Sequence, residues 1–146
     1  SKFLDDYIKA GSNIITFHCE IDENLNELIN KIKQNNVKAG IAIKPKTSWE
    51  EIKKYLHTID QVIIMTVEPG FGGQSFLSDQ IKKIESISNY IKENNLDVDI
   101  EIDGGINYET GKLCVDAGAD ILVAGSFLFK QDNLTIATNK LNDFFN

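Results

Sequence analysis

Val98-Asp99-Ile100-Glu101-Ile102-Asp103-Gly104-Gly105 sets apolar side chains against carboxylates at every second position and then stops on two glycines. A period of two is that of a β-strand, whose successive side chains leave on opposite faces. Segments of strand and helix character alternate along the whole chain, which implies parallel pairing with right-handed crossovers. A parallel sheet is covered on both faces and offers no solvated side, so Asp99, Glu101 and Asp103 need a polar interior. The stretch Ile15-Thr16-Phe17-His18-Cys19-Glu20 repeats the problem, placing Thr16, His18 and Glu20 on one face. An open doubly wound sheet would press helices onto these groups. A barrel lumen collects them and pairs them with one another or with Lys44, and we read the chain as a (β/α) barrel.

Working outward from that strand, the spacing predicts five β/α units. Lys2 to Ala10 reads as a helix and Asn13 to Cys19 as the first strand. Leu25, Leu28, Ile29 and Ile32 recur at helical spacing until Asn35-Asn36. The second strand is predicted at Lys38 to Lys44, before Pro45, and Ser48 with Glu51 has capping-box spacing for a helix to about Leu56. The third strand runs from Val62 to Val67. Ile81, Ile84, Ile87 and Ile91 give the next helix its buried stripe, followed by the fourth strand at Val98 to Asp103. Asn107 caps a helix to Ala117 with Gly118 as its stop, Ile121 to Gly125 is the fifth strand, and Leu134 to Phe144 closes the chain as a helix.

Length and charge narrow the function. One domain of 146 residues can bury a core of its own. The net charge of −7, with no Lys/Arg cluster interleaved with aromatics, argues against nucleic acid and anionic membrane as partners. No apolar run approaches the ~18 residues of a spanning helix, and no leader pattern opens the sequence. Cys19 and Cys114 show neither C-x-x-C nor zinc-type spacing and read as buried thiols in a reducing, cytoplasmic compartment. Met65 is the only methionine, so the sequence begins without an initiator.

Chemistry is concentrated at three strand ends. Val67-Glu68-Pro69-Gly70-Phe71-Gly72-Gly73-Gln74, Gly104-Gly105 and Gly125-Ser126 each follow an apolar strand. Glycines there let backbone N–H groups press against an anion, and barrels commonly hold phosphate on the loops after their last strands. A phosphate ligand is weighed against purely structural glycines. Asp103, last in its strand, could take a proton from carbon or bind a metal, or could serve as a cap or as a partner of Lys44. His18 is a metal ligand, a donor to substrate or a satisfied core residue. His57 is expected in solvent, Met65 in core or against substrate, and Trp49 against the barrel. No histidine pair has metal-ligand spacing.

Taken together, Met65-Thr66-Val67-Glu68-Pro69-Gly70-Phe71-Gly72-Gly73-Gln74, Glu101-Ile102-Asp103-Gly104-Gly105-Ile106 and Val123-Ala124-Gly125-Ser126 resemble the D-ribulose-5-phosphate 3-epimerase family. Thr16-Phe17-His18-Cys19-Glu20 and Gly40-Ile41-Ala42-Ile43-Lys44-Pro45 extend the resemblance over nearly the whole chain. It implies a TIM (β/α)₈ barrel of ribulose-phosphate-binding type, of which residues 1–146 form the C-terminal five strands as a single domain, the three N-terminal strands being absent. It implies an isomerase of the pentose phosphate pathway that interconverts ribulose 5-phosphate and xylulose 5-phosphate by metal-assisted proton transfer at C3. It further implies one divalent ion, zinc, iron, cobalt or manganese, that stabilises the enediolate. Asp103 matches an acid/base that is also a metal ligand. Gly70, Phe71, Gly72, Gly73, Gly104, Gly105, Gly125 and Ser126 match substrate and phosphate contacts, and Met65 matches a methionine over the reacting carbons. The family's second aspartate and its metal-binding histidines come from earlier strands. The partner is thus a ketopentose phosphate, and a homo-oligomer is compatible with the reading. An allulose-6-phosphate epimerase and a non-catalytic, phosphate-binding half-barrel stand as alternatives.

Overall fold

In a computed structural model that describes residues 2–70 and 73–146, the chain forms one five-stranded parallel sheet wrapped on one face by helices. The strands are β1 (Ile14–His18), β2 (Lys38–Ile43), β3 (Gln61–Met65), β4 (Asp99–Asp103) and β5 (Ile121–Val123), and they lie side by side in sequence order. Right-handed crossovers that always step the same way leave every helix on the same side of the sheet, as in a barrel wall. The result is a partial (β/α) barrel of about five units. The helices are α1 (Leu4–Lys9), α2 (Leu25–Gln34), α3 (Ile81–Glu93), α4 (Tyr108–Asp116), α5 (Ser126–Phe129) and α6 (Leu134–Asn142).

The helix-covered face holds the core. Ile41, Ile43, Val62, Ile64, Ile100 and Ile102 from the strands meet Ile29 and Ile32 of α2 and Ile84 and Ile87 of α3, all essentially without exposure. Each such side chain contributes about 1.5 to 3 kcal/mol by leaving water. Asn36 and Asn95, at φ of 58° and 51°, end the turns after α2 and α3 in the left-handed region that asparagine tolerates. The Asn107 side chain accepts from Glu109 and Thr110 N–H, and the Thr110 hydroxyl returns to the Asn107 N–H, which makes a capping box at the head of α4.

The opposite face carries the polar residues in register. Thr16 sits opposite Gly40, Gly40 opposite Gln61, and Gln61 opposite Asp99. The Thr16 hydroxyl donates to Gln61 Oε1 at 3.3 Å, and Gln61 Nε2 donates to Glu101 Oε2 at 2.7 Å. These residues therefore pair with one another along the inner wall.

Three expectations need correction. Residues 49–55 form two successive 3₁₀ turns, Trp49–Glu51 and Lys53–Tyr55, where an α-helix to about Leu56 was predicted. The steps Trp49, Ile52, Tyr55 have the three-residue period of a 3₁₀ turn, which buries Ile52 and Tyr55 together; Ser48 still caps, through Glu50 N–H. The fifth strand ends at Val123, because the chain turns at Gly125 into the four-residue α5. Among the described residues Lys44 forms no ion pair; its backbone N–H, not its ammonium, donates to Glu20 Oε1 at 2.8 Å. Burial alone would raise the Glu20 pKa, but the Thr47 hydroxyl and the Lys44 N–H outweigh it and hold the carboxyl below its usual range.

Candidate active site

The three glycine-bearing turns follow β3, β4 and β5 and meet at the C-terminal ends of those strands, where Met65 sits opposite Asp103 and Asp103 opposite Val123. Between them lies a cavity of about 380 Å³. Met65, Gly70, Gly73, Asp103, Gly104, Gly105, Gly125 and Ser126 all line it. Phe71 and Gly72, also singled out in the sequence, lie outside the described residues. Gln74, at the end of the quoted glycine stretch, lines it as well, and so does Val123, the register partner of Asp103, which was missed because cross-strand register is not readable from one strand.

Local chemistry fixes the turn after β4. Gly104 has φ of 130° and Gly105 φ of 64°, and a Cβ on Gly105 would fall 2.7 Å from the Phe76 nitrogen. The fully buried Thr66 donates its hydroxyl to the Gly104 carbonyl at 2.6 Å, and its N–H to the Asp103 carbonyl at 2.9 Å. The Thr110 hydroxyl donates to the Gly105 carbonyl at 3.0 Å. In a trans peptide the N–H points opposite to the C=O, so tying back these two carbonyls aims the N–H groups of Gly105 and Ile106 the other way. They are the dipoles left to meet an anion.

Asp103 and Glu101 lie two residues apart on the inner wall. Burial raises the Asp103 pKa above 3.8. Burial first, then the Asp103 charge, raises that of Glu101 above 4.5, against the hydrogen bond from Gln61. A carboxylate pushed toward neutrality in a cleft is suited to exchanging a proton. A raised folded-state pKa favours the protonated form, so its stabilisation is complete below the ordinary value and is lost as pH climbs through the raised one. Glu101→Gln keeps an acceptor for Gln61 and removes the repulsion. At pH 7 it should raise the thermal midpoint, by no more than about 1 kcal/mol of stability. The gain should fade below about pH 4, where both carboxyls are protonated; thermal denaturation across that range measures it.

The remaining candidates play other parts. His18 is about one-third exposed and pairs through Nδ1 with Glu20 at 3.3 Å. His57 is exposed, with Nε2 3.0 Å from the Tyr90 hydroxyl. Lys53 lies over both the Trp49 and Tyr90 rings, and Trp49 packs partly buried against the core. Cys114 is buried and Cys19 partly so; burial pushes both thiols up to about 12, too high for a reactive thiolate. No group of three His, Cys, Asp or Glu among the described residues could hold a metal ion. Asp103 offers a single carboxylate, so these residues do not by themselves make a metal centre. Among the described residues no helix is long and apolar enough to cross a membrane.

A profile described as the ribulose-phosphate 3 epimerase family matches residues 1–129. A ribulose-phosphate 3-epimerase of Chlamydia muridarum is 41% identical over 137 residues, covering 92% of this chain and 60% of the relative. Those of Bacillus subtilis and Escherichia coli are 37% and 36% identical, with 65% and 58% of their lengths covered. The chain thus spans about three fifths of the curated relatives it matches. Among solved structures, 3-hexulose-6-phosphate synthase superposes with a TM-score of 0.67 at 16% identity, over 97% of this chain and 66% of that one. KGPDC from Streptococcus mutans gives 0.68 at 14% identity, over 98% of this chain and 65% of that one. At such identities the likeness is one of fold.

Proposed function

The chain belongs to the ribulose-phosphate 3-epimerase family, and from that premise we propose that it forms the C-terminal five β/α units of a (β/α)₈ epimerase acting on ribulose 5-phosphate and xylulose 5-phosphate. The observation that carries the reading is Asp103, held at a strand end beside three glycine turns in one cavity, with burial raising its pKa. The substrate's phosphate rests on the amides of the Gly104-Gly105 and Gly125-Ser126 turns, and its C3 faces the Asp103 carboxylate. That carboxylate removes the C3 proton, which the adjacent carbonyl acidifies, to give an enediolate. Reprotonation from the other face completes inversion and requires an acid from outside these five strands. Met65 supplies an apolar wall beside the reacting carbons. Among the described residues Asp103 would be a ligand of the divalent ion that the resemblance implies, which when bound would stabilise the negative charge of the enediolate. The pentose phosphate pathway and the cytoplasm are the setting consistent with that substrate.

The test is incubation of the native polypeptide with ribulose 5-phosphate in D₂O, beside allulose 6-phosphate. Deuterium entering C3 with formation of xylulose 5-phosphate is expected. Faster exchange of the six-carbon sugar would assign the alternative specificity, and exchange of neither would leave a phosphate-binding half-barrel.

A further inference from the structure

Beyond Gly105 and Ser126 the cavity continues into a second recess of about 210 Å³, to which Asn107, Phe127 and Lys130 contribute. Gly73, Gly105 and Ser126 line both recesses, so the two form one groove with Asp103 toward one end and Lys130 toward the other. The electrostatics of this groove pose a difficulty for a phosphate dianion. The chain carries −7 overall, Glu68 and Asp103 line the first recess, and its 15 Lys/Arg positions are all lysines, so any cation these residues give the anion is an ammonium. Amide dipoles act only at close range, which leaves approach and retention short of positive charge.

The neighbouring cations are mostly engaged. Lys46 pairs at 3.5 Å with Glu68, which lines the first recess, and Lys140 lies 4.0 Å from the centre of the Tyr108 ring; further along α4, Lys112 pairs with Asp116. Lys130 is exposed, lines the groove, and among the described residues its ammonium has no ion pair or hydrogen bond. Its backbone is fixed by the last turn of α5, through N–H to the Phe127 carbonyl. We infer that Lys130 is the cation of the phosphate subsite, a specificity-determining residue that gives the groove its preference for a doubly charged phosphate monoester. The inference rests on the phosphate reading of the site proposed above.

The test is a titration of the native polypeptide with inorganic phosphate, followed through the amide resonances of Gly104, Gly105 and Ser126 at about 20 mM and about 200 mM salt. Lys130→Gln should weaken binding about five-fold at the lower salt and flatten its salt dependence. Lys130→Arg should keep both, and Lys112→Gln, whose lysine already pairs with Asp116, should change neither. Unaltered affinity and salt dependence in Lys130→Gln would overturn the inference while phosphate binding itself stood. Absence of any phosphate response at those amides, in parent and variants alike, would remove the underlying reading and this assignment with it.

Discussion

Asp103→Asn in the native polypeptide is expected to lower turnover of ribulose 5-phosphate by about 10³-fold or more, while inorganic phosphate still binds within about two-fold of the parent. An amide has nearly the shape of a carboxylate and keeps a carbonyl acceptor, but it cannot take a proton from carbon near neutral pH. The glycine turns do not depend on the Asp103 side chain: Thr66 reaches the Asp103 and Gly104 carbonyls, and Thr110 the Gly105 carbonyl. The phosphate end should therefore survive the substitution. Folding should not suffer either. Burial already disfavours the charged form of Asp103, and its charge raises the pKa of Glu101. Loss of that charge makes Asp103→Asn neutral to mildly stabilising at pH 7. The parent should lose kcat/KM on the acid side at a pH above the ordinary aspartate value, where the base form of Asp103 is titrated away. Near-parental turnover in Asp103→Asn would refute the role, and loss of phosphate binding together with turnover would mean that the side chain holds the site's shape instead.

The position of Asp103 in the cavity between the strand ends was legible in the sequence because three signals coincide on it: strand alternation, terminal position in the strand, and two glycines following. Each has one physical cause, and together they put a carboxylate at a barrel's functional rim. The polar inner wall was legible for the same reason, since alternation fixes the face, but its pairing was not. Gln61 bridges Thr16 and Glu101 across Gly40, a relation set by strand register that no single strand reveals. Thr66 escaped notice because a threonine within the predicted strand Val62 to Val67 looks like ordinary β-propensity. Its importance comes from β4, 37 residues further along, whose last carbonyls it holds. Lys130 was invisible as well: a lysine after a short helix gains meaning only once the fold brings it to a recess that Gly105 also lines. The 3₁₀ turns at 49–55 differ from the predicted helix because a capping residue marks where a helical turn starts without choosing its pitch.

Gly104→Ala should destabilise the fold by about 3 to 5 kcal/mol, because two costs fall on one position. A φ of 130° is strained for any residue with a Cβ, and that Cβ would stand 2.6 Å from Val67 Cγ2 and 2.8 Å from the Val67 nitrogen. The nitrogen is backbone and cannot swing aside, so relief requires β3 and β4 to part where Thr66 joins them. Gly125→Ala is the informative contrast. Gly125 has φ of −101°, and its Cβ would meet nothing within 4 Å. Its stability should stay within about 0.5 kcal/mol of the parent, yet a methyl at the cavity wall stands where a phosphate would approach the backbone, so phosphate affinity should fall. Urea unfolding and phosphate titration of the two variants separate the two uses of glycine: Gly104 lets two strand ends pack together, whereas Gly125 keeps space open for a ligand. If Gly104→Ala unfolds at the parental urea midpoint, Val67 and β4 are not in close approach, and the cavity between the strand ends loses the contact that shapes it.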